Sequence, residues 1–260
     1  MSTLATFVKQ QRQEKSMLLM THVIYGYPTI DESLQMMTSL LEKGVSILEV
    51  QFPFSDPVAD GPVITNACHD ALENNPKLSQ CLADITALAA DYPNTKVLLM
   101  SYLNPILQYG FDALAQDMQA GVAGIIIPDL PIDHHAMAAP LVEKSVDPIW
   151  LMIPDMSDER MAFVSEHAQG LLYCVSRKGV TGQGSDSQSE QSQLETYLNS
   201  IKKHTDVPLA LGFGISTAED IQGIVGLVDV AVVGSALLRA YQNGGLSEFN
   251  EKADELLTVQ

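Results

Sequence analysis

A chain of 260 residues that is 46% apolar can bury a large core, and a formal charge of −18 disfavours nucleic acid and anionic membrane surfaces as partners. Cys68, Cys81 and Cys174 are odd in number and lack metal or disulfide spacing, which suggests buried, reduced thiols. No apolar run is long enough to span a bilayer.

The opening stretch MSTLATFVKQQRQEKS lacks the apolar segment and cleavage site of a signal peptide, so a cytoplasmic protein is expected. Its alternation suits a short amphipathic helix. Eight short runs rich in Val, Ile, Leu and Met then read as strands: LLMTHVIYG (18–26), ILEVQF (47–52), KVLLMSYL (96–103), GIIIPDL (124–130), PIWLMIP (148–154), GLLYCVS (170–176), PLALGFG (208–214) and VAVVGS (230–235). Nearly continuous hydrophobicity, rather than alternation, suits parallel strands covered on both faces. Helical patterns separate them, among them TIDESLQMMTSLLEKG, which begins with a capping residue and ends in Gly, and SDERMAFVSEHAQG and TAEDIQGIVG. Eight strand–helix units predict one domain over residues 1–260, a (β/α)8 TIM barrel with an extra N-terminal helix. An open doubly wound sheet would want a glycine-rich fingerprint after the first strand, and YGYPTID is not one. The longest gaps follow the second and sixth strands, which places long loops at the C-terminal face, where such barrels build active sites. The Gly-, Ser- and Gln-rich segment KGVTGQGSDSQSEQSQ (178–193) is expected to be a mobile loop or lid.

The stretch LEVQFPFSDPVADGP (48–62) holds three carboxylates and no Lys or Arg. Alternation puts Glu49 and Gln51 on one face of the second strand. An inward carboxylate near a strand end is partly desolvated, which raises its pKa and suits a group that gives and takes a proton near neutrality; a solvated strand-end Glu is the structural alternative. Asp60 lies in a loop stiffened by Pro57 and Pro62, which lowers the entropy cost of holding an acid over a substrate. Asp56, between Ser55 and Pro57, fits turn chemistry or a contact surface better than catalysis.

LGFGIST (211–217) and VGSALL (233–238) give glycine-rich turns directly before helices, at the ends of the seventh and eighth strands. Backbone N–H groups there can hold a phosphate without a cation, so an acidic chain can still bind an anion. Other chemistries fit less well. A Schiff base needs a Lys at an inner strand end, but Lys96 starts the third strand and Lys178 lies in the long loop. No metal ligand spacing is visible: His134 and His135 are adjacent and read as surface residues, and His22, His69, His167 and His204 are scattered. There is no GxSxG elbow for a serine nucleophile. Carboxylate acid–base chemistry on a phosphorylated small molecule remains.

On LEVQFPFSDPVADGP, PDLP, SRKGVTG, GFGIST and VVGSA, in that order, the chain resembles the tryptophan synthase alpha subunit family along nearly its whole length. The resemblance implies a lyase that cleaves indole-3-glycerol phosphate to indole and glyceraldehyde 3-phosphate by a retro-aldol reaction, with no metal or cofactor of its own. It implies that Glu49 is the general acid–base, that Asp60 bonds the indole N–H, and that Thr181 anchors a closed lid near Asp60. Gly182, Phe213, Gly214, Gly234 and Ser235 would cradle the phosphate, and Tyr102, Tyr173 and Phe213 would wall the pocket. The implied partner is a beta subunit carrying pyridoxal phosphate, in an α2β2 complex, reached by indole through a tunnel and contacted by Pro53, Asp56 and Pro57. A stand-alone paralogue acting on a related substrate, or a mainly allosteric partner of the beta subunit, are the other readings.

Two positions depart from the family pattern. Gln51 stands where the family usually has Gly, and its amide is expected to bond Glu49 and lower its pKa, or to fill pocket volume. If it restrains Glu49, Gln51→Gly should raise activity. His22 stands where an aromatic commonly lies beside the indole.

Overall fold

The computed structural model describes residues 2–176, 187–212 and 214–259, without the side chains of 187–190. Its eight strands are β1 (Leu18–Ile24), β2 (Ile47–Gln51), β3 (Lys96–Met100), β4 (Val122–Ile126), β5 (Asp147–Met152), β6 (Leu172–Val175), β7 (Leu209–Gly212) and β8 (Val230–Val233). They close into a barrel in chain order, every neighbour parallel. Most of the strands stop before the apolar runs do. Tyr25, Phe52 and Tyr102, just past the ladder, are still buried, Tyr25 and Phe52 among the helix-facing residues and Tyr102 within the inner shell.

The helices are α1 (Thr3–Gln11), α2 (Ile30–Glu42), α3 (Pro62–Glu73), α4 (Leu78–Asp91), α5 (Leu103–Tyr109), α6 (Phe111–Met118), α7 (Ala139–Glu143), α8 (Asp158–His167), α9 (Ser187–Lys202), α10 (Ala218–Gln222) and α11 (Ser235–Leu257), with a 3-10 turn at Ile132–Ala138. Local signals start several of them: Ser2, Thr29 and Ser157 each accept a hydrogen bond from a first-turn N–H of α1, α2 and α8. The extra chain after β2 forms the loop 52–61 and then α3, which starts with Pro62 at its first position. Residues 187–193, expected in a mobile loop, instead belong to α9. That helix places Leu194, Tyr197, Leu198 and Ile201 on one face against the core, and this burial outweighs the weak helix preference of the upstream Ser residues. The rest of that predicted loop, with Lys178, lies outside the described residues.

Alternation along each strand divides the core into two shells. Leu19, Leu48, Val50, Val97, Leu99 and Ile125 face outward against helical residues such as Met37, Leu40, Leu82 and Ile85. Leu18, Met20, Ile47, Leu98, Ile126 and Val230 face the barrel axis. Leu4, Phe7 and Val8 of α1 pack against this inner shell and close the N-terminal end. Lys96 belongs to that floor, its Nζ lying 5.4 Å from the Phe7 ring centre, and is far from any inner strand end. The three cysteines are free and buried. Among the described residues, no helix is long and apolar enough to cross a membrane.

Candidate active site

Towards the C-terminal ends of β1 and β2 the barrel axis stops being apolar. His22, Glu49 and Gln51 are 7%, 5% and 0% exposed, and His22 pairs with Glu49 in the ladder. Burial pushes the Glu49 carboxyl up; His22 pulls it back, and the nearby charge of Asp60 adds to the rise. Its Oε2 has no hydrogen-bond partner among the described residues. A buried carboxyl of raised pKa with an unpartnered oxygen is suited to hold a proton and release it to a base.

The loop 52–61 brings Asp60 to this carboxyl. Its own backbone tightens it: Val58 N–H donates to the Asp56 carbonyl at 2.9 Å and Asp60 N–H to the Pro57 carbonyl at 3.0 Å. Asp60 Oδ2 accepts from the Tyr102 hydroxyl at 2.8 Å and from Gln51 Nε2 at 2.8 Å. The Tyr102 hydroxyl in turn accepts from Ala59 N–H at 3.1 Å. Tyr102 is fully buried, with its ring 5.5 Å from that of Phe54. Expected at the pocket wall, Tyr102 also supports Asp60 through this hydrogen bond. Burial, then the charge and hydrogen bond of Asp60, hold its hydroxyl protonated as a donor.

Gln51 does not do what its position on the Glu49 face suggested. Its Oε1 meets His22 Nε2 at 2.6 Å and its Nε2 reaches Asp60, so the amide bridges those two groups and leaves Glu49 with a raised pKa. The reason is reach: two residues further along the strand, the amide is level with the loop rather than with the Glu49 carboxyl. Tyr173 completes the acidic side. Burial raises its hydroxyl pKa far above the ordinary value, and the charges of Glu49 and Asp60 add to it. Its hydroxyl lies over Gly212, where any Cβ would overlap it.

The anion side differs between its two turns. After β7, Gly214 has φ +89°, a conformation that favours glycine. Ser216 and Thr217 N–H groups donate to Asp220 Oδ2 at 2.9 and 3.1 Å, and Asp220 N–H donates to the Thr217 hydroxyl. This capping box occupies amides at the start of α10, within the LGFGIST turn. After β8, by contrast, Gly234 caps α11 with no side-chain hydrogen bond among the described residues, so the first amides of that helix, from Ser235, have no side-chain cap there. The His22 ring packs on Gly234: a Cβ there would stand 3.1 to 3.3 Å from Nδ1, Cβ and Cγ of His22.

Thr181, Gly182 and Phe213 lie outside the described residues. Of the three expected partner contacts, Asp56 is exposed, but Pro53 and Pro57 are buried in the chain itself. They shape the loop from within, and its outward apolar residue is Val58, 80% exposed. Sequence reasoning missed three supports: the Gln51 bridge, Ala59 N–H and Gly212. Only Gly212 carried a readable signal, as a glycine in an apolar strand run marks a close approach.

Residues 8–260 match the family model described as tryptophan synthase alpha chain. The tryptophan synthase alpha chain of Syntrophotalea carbinolica is 38% identical over 247 residues, covering 94% of this chain and 95% of its own. That of Dehalococcoides mccartyi is 39% identical over 236 residues, covering 88% and 89%. Among solved structures, tryptophan synthase from Mycobacterium tuberculosis gives a TM-score of 0.89 at 32% identity, covering 99% of this chain and 98% of that one. Tryptophan synthase subunit alpha from Legionella pneumophila gives 0.87 at 29% identity, covering 100% and 97%.

Proposed function

The chain belongs to the tryptophan synthase alpha chain family, and from that premise we propose which of its residues carry the reaction. It is a carbon–carbon lyase that cleaves indole-3-glycerol phosphate to indole and glyceraldehyde 3-phosphate, in the biosynthesis of tryptophan. The alpha chain works without a cofactor; pyridoxal phosphate resides on the beta subunit.

A retro-aldol cleavage needs a proton on the indole ring carbon, removal of the side-chain hydroxyl proton, and support for positive charge on the ring nitrogen. Glu49 serves the first two needs. Its carboxyl gives a proton to the ring carbon, and the carboxylate so formed takes the hydroxyl proton as the carbon–carbon bond breaks. The aldehyde and indole leave, and Glu49 is again protonated. Asp60, bound through Oδ2, offers its other oxygen to the indole N–H and balances the ring charge in the transition state. Tyr173 and His22 border the ring. The phosphate lies on the amides of Gly214, Gly234 and Ser235 and on the Ser235 hydroxyl.

The carrying observation is the buried Glu49 carboxyl with an unpartnered oxygen, next to an Asp60 anchored by two donors. The beta subunit, in an α2β2 assembly, receives the indole and docks on the loop surface of Asp56 and Val58. The chain works as one barrel of residues 1–260 in the cytoplasm. The test is indole release from indole-3-glycerol phosphate, with and without added beta subunit. Release that rises with the beta subunit and vanishes in Asp60→Asn is expected. Activation of the beta subunit without indole release would make the barrel an allosteric partner only, and neither effect would end the assignment.

A further inference from the structure

Gln51 takes part in none of the steps above, yet it is fully buried at the barrel mouth with both polar atoms bonded. The direction of its amide follows from its neighbours. An ionised carboxylate only accepts, so the NH2 end faces Asp60 Oδ2, 2.8 Å away, with Cys68 Sγ at 3.4 Å as a weaker second acceptor. Oε1 must then accept from His22 Nε2–H at 2.6 Å, which sets the histidine tautomer. A directed chain results: His22 donates to Gln51, and Gln51 donates to Asp60. Ala59 donates to Tyr102, and Tyr102 donates to Asp60.

We propose that Gln51, oriented by His22, is a positioning residue for the lyase reaction: it fixes the rotation of the Asp60 carboxylate so that Oδ1 stays turned to the indole N–H. This inference rests on the role given to Asp60 above. Asp60 is carried by a loop and is only partly buried, so its carboxylate would otherwise rotate. Two donors on one oxygen remove that freedom before substrate arrives, and Oδ1 has no partner among the described residues. A neutral amide does this without the counter-charge of a Lys or Arg, which would neutralise the carboxylate needed by the ring. The expectation that Gln51→Gly raises activity is thereby reversed: the amide restrains Asp60, productively, and not Glu49.

The test is kcat and KM for indole-3-glycerol phosphate cleavage by the full chain with its beta subunit. The variants are Gln51→Leu, His22→Phe, His22→Gln, and Gln51→Leu combined with His22→Phe. Loss of a buried hydrogen bond to a charged group predicts that Gln51→Leu lowers kcat about tenfold or more. KM should stay within about threefold, because Gln51 itself bonds His22, Asp60 and Cys68 and none of the phosphate residues. His22→Phe should lower kcat as well, and His22→Gln, whose amide can donate to Gln51 Oε1, should restore most of it. The double variant should be no worse than Gln51→Leu alone. Unchanged or raised kcat in Gln51→Leu, or additive losses in the double variant, would overturn the proposal. Should Gln51→Leu fail to fold, the His22 pair decides alone: a loss in His22→Phe that His22→Gln does not restore overturns it. If the unmodified chain with beta subunit releases no indole, the functional reading itself falls.

Discussion

Two buried carboxylates stand at opposite ends of this barrel, Glu49 at the mouth and Asp147 at the start of β5 in the floor. Each has an oxygen with no hydrogen-bond partner among the described residues, and burial raises the pKa of both. Their surroundings differ. Asp147 is eased by the Ser2 hydroxyl, and Gly170 packs so closely that a Cβ would overlap its Oδ2. Glu49 faces another acid, an imidazole and a tyrosine hydroxyl, all converging on one space. A displaced pKa therefore does not by itself mark a catalytic group; convergence of groups with separate tasks does.

The largest expected difference between the two ends is in turnover. Glu49→Gln should lower kcat by about a hundredfold or more, as expected for loss of a general acid–base, whereas Asp147→Asn should leave kcat unchanged in the same indole-release assay. A loss of comparable size in Asp147→Asn would break the comparison. Stability should respond in the opposite place. Leu4→Ala, in the α1 plug at 0% exposure, should cost about 2–4 kcal/mol in denaturant unfolding with kcat retained. A matched pair of glycines sharpens the contrast. Gly170→Ala should destabilise by about 1–3 kcal/mol without a kinetic effect, while Gly212→Ala displaces Tyr173 at the mouth and should lower kcat/KM.

The smallest effect is on melting temperature. Both acids have native pKa values above their ordinary 4.5 and 3.8, so the folded state holds their protons more tightly than the unfolded chain. The stabilising contribution is full below those ordinary values and is lost as pH rises through the native pKa. Glu49→Gln and Asp147→Asn should each raise Tm near pH 7, and the gain should shrink towards about pH 4. A gain that grows on acidification would contradict the burial of either carboxyl.

Much of this was legible from local pattern. The apolar runs marked all eight strands, because a strand covered on both faces must be apolar throughout. Thr29, Ser157 and Thr217 announced their helices, since a cap is made within one turn. The start of α9 was not legible, because Ser- and Gln-rich chain becomes helical there only through the packing of Leu198 and Ile201 further on. The unequal value of the two anion turns was hidden too, as both are glycine-rich and only one has its amides occupied by an aspartate.

By itself the sequence determined the barrel, the shared strand face of Glu49 and Gln51 and the loop that carries Asp60, because alternation, apolar content and proline placement act over a few residues. Only the tertiary structure decided which groups hold Asp60. His22, Gln51, Asp60 and Tyr102 come from β1, the end of β2, the loop after it and the end of β3, and a hydrogen bond between positions so distant in the chain exists only once the parallel pairing of these three strands brings their donors within reach.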